Sequence, residues 1–138
     1  MKIINKKASY NYHLYDRYEA GIVLTGSEVK AIKNGKVDIS RSYVKEIGNE
    51  LYLVNAVVST QMHVETNSRK LLLHKNELFT IFTKTKAKKL TLVPTKIYTK
   101  GHLIKLEFAL GRAKRKYEKR HKEKIREIKR EIEREYKD

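Results

Sequence analysis

Basic residues and tyrosines alternate near the start of this chain. Asn5, Lys6 and Lys7 come shortly before Tyr10 and Tyr12. Lysines contact phosphates and aromatic rings stack on bases, so this interleaving is typical of a surface that binds RNA. An alternating strand with tyrosines in the core would give a similar pattern, and both interpretations stay open for these rings.

A second group of cations lies near the C-terminus. Nine of the fifteen residues from 112 to 126 are basic and two are acidic. We interpret this block as contacting phosphates, with one tyrosine available for stacking. Its candidate residues are Arg112, Lys114, Arg115, Tyr117, Lys119 and Arg120. A solvated charged helix or one strand of a coiled coil would have a similar composition. A smaller basic patch is Arg69 with Lys70.

Motifs of enzymes and metal sites are missing from the sequence. It contains no phosphate-binding loop, no dinucleotide-binding glycine motif, no nucleophile elbow and no HExxH zinc motif. It has no cysteine, which excludes disulfides, thiolate metal ligands and cysteine nucleophiles. His74 and Glu77 have helical spacing without further ligands. We therefore predict no catalytic residue, no metal and no cofactor, and a nuclease is disfavoured.

The charge balance points to a polyanionic partner. The chain has 138 residues, with 32 Lys and Arg against 16 Asp and Glu, for a net charge of +16. RNA, DNA or an anionic membrane surface could meet such a surplus. No apolar run approaches the roughly 20 residues of a membrane span, and the N-terminus lacks the apolar region of a secretory signal. We expect a cytoplasmic protein.

The elements that position these residues are mostly strands. We predict a strand over 10–24 and then a helix over 27–33 that ends at Asn34-Gly35. A hairpin over 37–58 that turns at Gly48-Asn49 and a polar loop over 59–69 follow. The body ends with a helix over about 74–87 and a hairpin over 88–110 that turns at 100–102. Pro94 marks an edge or a bulge. Residues 1–9 look loosely held. The body, 1–110, is thus mainly antiparallel β with short helices, and a small, partly open barrel is the expected form.

The remaining residues, 111–138, are predicted to form a basic tail. Its larger side chains recur at helical steps at Tyr117, His121, Ile125, Ile128, Ile132 and Tyr136. Three aliphatic side chains stabilise so long a helix poorly in water. We expect a tail that is disordered alone and helical on a partner. A coiled-coil interaction module built on the isoleucine stripe is the alternative.

Several runs resemble the SmpB family, the SsrA-binding proteins of bacterial trans-translation. The most specific are Tyr18-Glu-Ala-Gly-Ile-Val-Leu-Thr-Gly-Ser-Glu-Val-Lys30 and Arg69-Lys-Leu-Leu-Leu-His-Lys75. Shorter pieces agree in order: Asn5-Lys-Lys-Ala8, Ser42-Tyr43, Leu90-Thr-Leu-Val-Pro94 and Lys119-Arg120. The resemblance covers almost the whole chain.

The resemblance implies an OB-like antiparallel barrel with flanking helices and a basic tail. It implies binding to transfer-messenger RNA at its tRNA-like domain, and delivery of that RNA, with elongation factor Tu, to stalled ribosomes. The tail would become helical in the small-subunit decoding centre and the mRNA channel. Elongation factor Tu would be met indirectly, through the RNA. The implied RNA-facing residues are Asn5, Tyr12, Glu19 and Leu72, with Lys6, Lys7 and Lys70 around them.

The tail departs from the family pattern at several positions. Lys114, Lys119 and Arg120 match it, whereas Ala113 replaces a glycine and Glu118 an aspartate. The loss of that glycine predicts a hinge at Gly111 instead. An OB-like ribosome- or tRNA-associated protein that does not use transfer-messenger RNA is the alternative function.

Overall fold

The protein is described here from a computed structural model, which covers residues 1–60, 64–65 and 67–136. Within these residues the strands are β1 (Lys2–Ile4), β2 (Tyr12–Ile22), β3 (Val37–Asp38), β4 (Tyr43–Ile47), β5 (Glu50–Val54), β6 (Val57–Ser59), β7 (Val64–Glu65), β8 (Arg69–Leu72), β9 (Thr91–Lys100) and β10 (Leu103–Ala113). The helices are α1 (Lys6–Asn11), α2 (Gly26–Lys33), α3 (Lys75–Lys88) and α4 (Lys116–Tyr136). None of these helices is long and apolar enough to cross a membrane.

Most strands join one antiparallel sheet. Its order is β1-β9-β10-β2-β8-β5-β4, and β3, β6 and β7 form a second, smaller sheet. This architecture confirms the predicted mainly β fold with short helices. The edge strands β1 and β4 are not joined by a backbone ladder in the described part of the chain, so the OB-like, partly open barrel stays a prediction.

Local turn chemistry explains the β4–β5 hairpin. Gly48 and Asn49 both adopt positive φ, 57° and 63°, which a two-residue turn between twisted strands requires. They join β4 to β5 as predicted. The outer parts of the predicted 37–58 hairpin also pair with each other, as β3 with β6, but they belong to the second sheet. Of the predicted 59–69 loop, residues 61–63 and 66 lie outside the described residues, and β7 pairs with β6.

Pro94 occupies a bulge between β9 and β10, as predicted. Lys96 pairs with Glu107, but the next pair is Pro94 with Phe108, so Thr95 has no opposite residue. The Thr95 hydroxyl donates instead to the Glu107 carbonyl at 3.1 Å. Proline has no N–H to donate, and the bulge places it where the ladder is already interrupted.

The core lies between the large sheet and the helices α2 and α3. It is built from alternate residues of the strands together with one face of each helix. Its fully buried members include Ile32, Leu51, Leu53, Leu71, Ile81, Leu106, Phe108 and Leu110.

The two ends of the body differ from the sequence-based expectation. Residues 1–9 are not loose, because β1 pairs with β9 and α1 follows it. Strand β10 continues past Leu110, with Arg112 opposite His13 and Ala113 opposite Tyr12. The last strand therefore ends at Ala113, and the division of the chain into a body and a tail stays a prediction.

Candidate nucleic-acid interface

The outer face of the large sheet carries a row of side chains from five neighbouring strands. Residues directly opposite one another in an antiparallel ladder share a face. The register aligns Lys2, Tyr98, Lys105, Gly21 and Leu72 across β1, β9, β10, β2 and β8. We call this set the sheet row. It places two ammonium groups, one aromatic ring and one exposed aliphatic side chain on a single surface.

Glu19 lies beside the sheet row and is held by its neighbours. The Tyr98 hydroxyl donates a hydrogen bond to its carboxylate, and Lys100 Nζ approaches Oε1 at 3.3 Å. The hydrogen bond from Tyr98, and then the Lys100 ammonium, hold the pKa of Glu19 below its ordinary value. Burial and the same hydrogen bond raise the pKa of Tyr98. Glu19 is thus ionised at neutral pH and fixes the position of two potential RNA contacts.

Leu72 lies on the outer face of β8, directly opposite Gly21 of β2. A Cβ at Gly21 would lie 3.3 Å from the Leu72 Cβ, tighter than most such contacts. Leu72 is 54% exposed, unusual for a large aliphatic side chain in a strand. Lys70, two residues earlier, is exposed and lies opposite Tyr52. Exposed leucine and lysine side chains therefore follow one another on the outer face of β8.

Asn5 belongs to a second group at the other end of β2. Its side chain is buried, and Nδ2 donates to the Pro94 carbonyl at 2.8 Å. Its Oδ1 has no hydrogen-bond partner among the described residues. With Lys7 and Tyr12, Asn5 lines a cavity of about 250 Å³, which Arg41 also lines. Lys6 is exposed next to it. We call Asn5, Lys6, Lys7 and Tyr12 the α1 cluster.

The predicted RNA-facing residues therefore form two groups and not one. Tyr12 begins β2, and Gly21, opposite Leu72, lies close to its end. The same span on the partner strand β10, Lys105 to Ala113, is eight residue steps, which at about 3.3 Å each separate the groups by about 26 Å.

Arg69 does not join either group, which corrects its assignment to the RNA-binding residues. Its guanidinium is buried, with Nε 2.6 Å from Glu28 Oε2, and it also donates to the Ala56 and Asn67 carbonyls. Burial raises the pKa of Glu28, but hydrogen bonds from the Thr25 N–H and from Arg69 outweigh it and hold the pKa below its ordinary value. Arg69 thus acts inside the fold.

The tail helix α4 touches the body through its acidic residues. Glu118 Oε2 lies 2.6 Å from His13 Nε2, and Glu123 accepts a hydrogen bond from the Tyr10 hydroxyl. Just before the helix, Lys114 donates to the Asn11 carbonyl from its N–H and to the Ser9 carbonyl from Nζ. The tail predicted to be disordered when alone is a helix here, and two of its carboxylates contact α1 and β2.

The predicted tail cations surround this contact. Arg112 is exposed on β10, and Arg115 and Arg120 are exposed around the start of α4, whereas Lys119 is half-buried. The side chain of Tyr117 lies outside the described part of the chain. Ile125, Ile128 and Ile132 are 41%, 56% and 47% exposed, so the apolar stripe faces away from the body.

A family model described as SmpB protein matches residues 2–138. This chain belongs to the SmpB family. The SsrA-binding protein of Persephonella marina is 43% identical over 139 residues, which cover 96% of this chain and 91% of that protein. The SsrA-binding protein of Mycoplasma mycoides is 40% identical over 140 residues, covering 96% and 95%.

A solved structure supports the same membership. A chain of the structure described as "tmRNA-SmpB: a journey to the center of the bacterial ribosome" is 38% identical, with a TM-score of 0.68. The match covers 83% of this chain and 85% of that chain. The mainly antiparallel fold described above is therefore an SmpB fold.

Sequence reasoning missed part of the outer sheet face of this SmpB-family chain. Lys96, Tyr98 and Lys105 were not singled out, although they lie on the same surface as Glu19. The signal was present, because polar and apolar residues alternate along β9 and β10 and so mark one solvent-facing side.

Proposed function

We propose that this protein binds transfer-messenger RNA, the SsrA RNA, at its tRNA-like domain and helps deliver it to stalled ribosomes for trans-translation. The observation that carries the proposal is the family match over residues 2–138. The basic and aromatic outer face of the sheet supports it. The protein would act by binding and placing RNA, without catalysing a reaction, in the cytoplasm of a bacterial cell.

The sheet row is the first proposed RNA contact. The Lys2 and Lys105 ammonium groups would meet phosphates, and Lys70 and Lys100 extend the same positive surface. Leu72 offers an apolar contact to a base or a ribose. Glu19, already bound by Tyr98 and Lys100, keeps lone pairs that can accept from a ribose 2′-hydroxyl. This role explains how a carboxylate fits a surface that binds a polyanion.

The α1 cluster is the second proposed contact. A buried acceptor without a partner is costly unless a ligand or water supplies a donor. Asn5 lines two cavities, one together with Lys7 and Tyr12 and the other together with Ser9 and Arg17, and its Oδ1 has no partner among the described residues. An RNA hydroxyl or amino group would satisfy this oxygen while Lys6 and Lys7 contact phosphates.

The tail is proposed to act on the ribosome. Helix α4 has 21 residues and is therefore about 32 Å long. That length fits along an RNA-lined channel better than into a pocket. We propose that Arg112, Lys114, Arg115, Tyr117, Lys119 and Arg120 contact ribosomal RNA in the decoding centre and the empty mRNA channel. Elongation factor Tu would be reached only through the bound RNA.

A gel-shift titration tests the proposal. Transfer-messenger RNA should bind more tightly than bulk tRNA, and log K should fall with log salt by about 0.7 to 0.9 per phosphate contacted. Lys105→Gln should weaken binding and reduce this slope by about 0.7 to 0.9, which is the contribution of one phosphate contact. Lys33→Gln is the matched control, because Lys33 is exposed at the end of α2 and belongs to neither group.

Two other results would replace the proposal. Equal affinity for both RNAs would favour an OB-like ribosome- or tRNA-associated protein. Self-association that is lost when residues 121–138 are deleted, without any RNA binding, would favour the coiled-coil module. The exposed isoleucine stripe of α4 is the observation behind that second candidate.

A further inference from the structure

A cavity of about 510 Å³ opens where β2, β10 and the end of α3 meet. It lies outside the sheet row and the α1 cluster. Its lining residues are Tyr15, Asp16, Lys84, Lys88, Leu90, Leu110 and Arg112. The volume falls within the range of roughly 300–1,000 Å³ that is usual for sites that hold small ligands.

A bulge in β2 turns the cavity wall outward. Arg17 pairs with Ala109 and Leu14 pairs with Gly111, so Tyr15 and Asp16 together oppose the single residue Leu110. Bulges redirect side chains and are frequent beside functional sites. The Tyr15 ring is 48% exposed as a result, although it lies in the middle of a paired strand.

The floor and the rim of the cavity differ in chemistry. Leu110 is buried and Leu90 is half-buried, so the floor is apolar. On the rim, Lys84 is held by Asp16 Oδ2 at 2.6 Å and by the Tyr18 hydroxyl at 3.3 Å. Lys88 and Arg112 are exposed, and neither forms a salt bridge with an acidic side chain in the described part of the chain. Three cations and one carboxylate leave the rim positive.

We propose that this cavity holds one unpaired nucleotide of the bound RNA, with its base against the Tyr15 ring and its phosphate between Lys88 and Arg112. An apolar floor with an aromatic wall suits a base, and two adjacent cations suit a phosphate. A free phosphate would use only the rim. This inference rests on the proposed function and adds a third contact to the same RNA.

The test measures binding of the isolated tRNA-like domain of transfer-messenger RNA to protein variants. Tyr15→Ala should weaken binding about tenfold, the effect of losing one base–aromatic stack, and Tyr15→Phe should bind like the wild type. Phe79→Ala is the matched control, because Phe79 is a 73% exposed ring on α3 outside the cavity. Lys88→Gln should reduce the salt slope by about 0.7 to 0.9, whereas Lys86→Gln, two residues away, should not.

Chemical probing of the RNA supplies a second readout. One nucleotide protected in the wild-type complex should regain its reactivity in the Tyr15→Ala complex while all other protections remain. Unchanged affinity and an unchanged protection pattern in Tyr15→Ala would overturn the inference. These results leave the proposed function intact. That function fails separately if the wild type does not prefer transfer-messenger RNA over bulk tRNA.

Discussion

Replacing Arg69 by methionine should destabilise the fold without removing an RNA contact. The Arg69 and Glu28 side chains are 3% and 7% exposed, with 2.6 Å between Nε and Oε2. Methionine keeps the apolar stem but leaves the buried Glu28 carboxylate without its counter-ion. Breaking a buried pair from one side costs about 3–5 kcal/mol. For a chain of this size that loss lowers the melting temperature by about 10–20 °C.

The pH dependence of this loss identifies its cause. The pKa of Glu28 is lower in the folded protein than its ordinary value of 4.5. A carboxyl group whose pKa is lowered by folding stabilises the folded protein at every pH above its pKa in the unfolded chain. This stabilisation disappears as the pH falls through the pKa that the group has in the folded protein. Thermal melts of wild type and Arg69→Met should therefore differ most at neutral pH and converge as the pH drops below 4.5.

Lys70→Gln is the control for this prediction. Lys70 follows Arg69 in β8 but is exposed. This variant should melt like the wild type and bind RNA more weakly, because it loses one phosphate contact. The reasoning is refuted if Arg69→Met melts like the wild type and loses RNA affinity, since the arginine would then act at the surface.

Three further changes probe the RNA surface and the tail. Glu19→Gln should lower RNA affinity modestly in a gel shift and leave the melting temperature unchanged, because the amide keeps one acceptor. Truncation after Leu110 should lower the melting temperature by removing the last three residues of β10, whereas truncation after Ala113 should preserve it; equal melts would show that those residues add nothing. Glu118→Gln combined with Glu123→Gln should release α4 from α1 and β2, seen as faster amide exchange over 116–126, and unchanged exchange would show that other contacts hold the tail.

The fold could be predicted where its causes are local. The Gly48-Asn49 turn, the end of α2 at Asn34-Gly35 and the bulge at Pro94 all follow from the backbone preferences of those residues. Residues 1–9 were misjudged because their order depends on distant partners. The Asn5 side chain bonds to the Pro94 carbonyl, 89 residues away, and no local pattern contains that contact.

The sequence predicts an RNA-binding surface, but it does not predict which residues form that surface. Arg69 and Lys70 carry the same charge but lie on opposite faces of β8, and the buried one, Arg69, is paired with Glu28, 41 residues earlier. The cations of the tail are plain in the sequence, yet the contacts of helix α4 with the body are made by two of its carboxylates, Glu118 and Glu123. Charge counts cannot reveal either outcome, because both depend on which side chains the folded chain brings together.

Strand β2 fixes the distance between the two proposed RNA contacts. Apart from the bulge at Tyr15 and Asp16, it is paired with β10 from Tyr12 to Gly21, so the α1 cluster and the sheet row cannot move independently. An RNA that touches both must present suitable groups about 26 Å apart. A short stem or a flexible single strand can reach one end but cannot hold both without losing conformational freedom. Selection would then follow the dimensions of the folded RNA, with base sequence secondary.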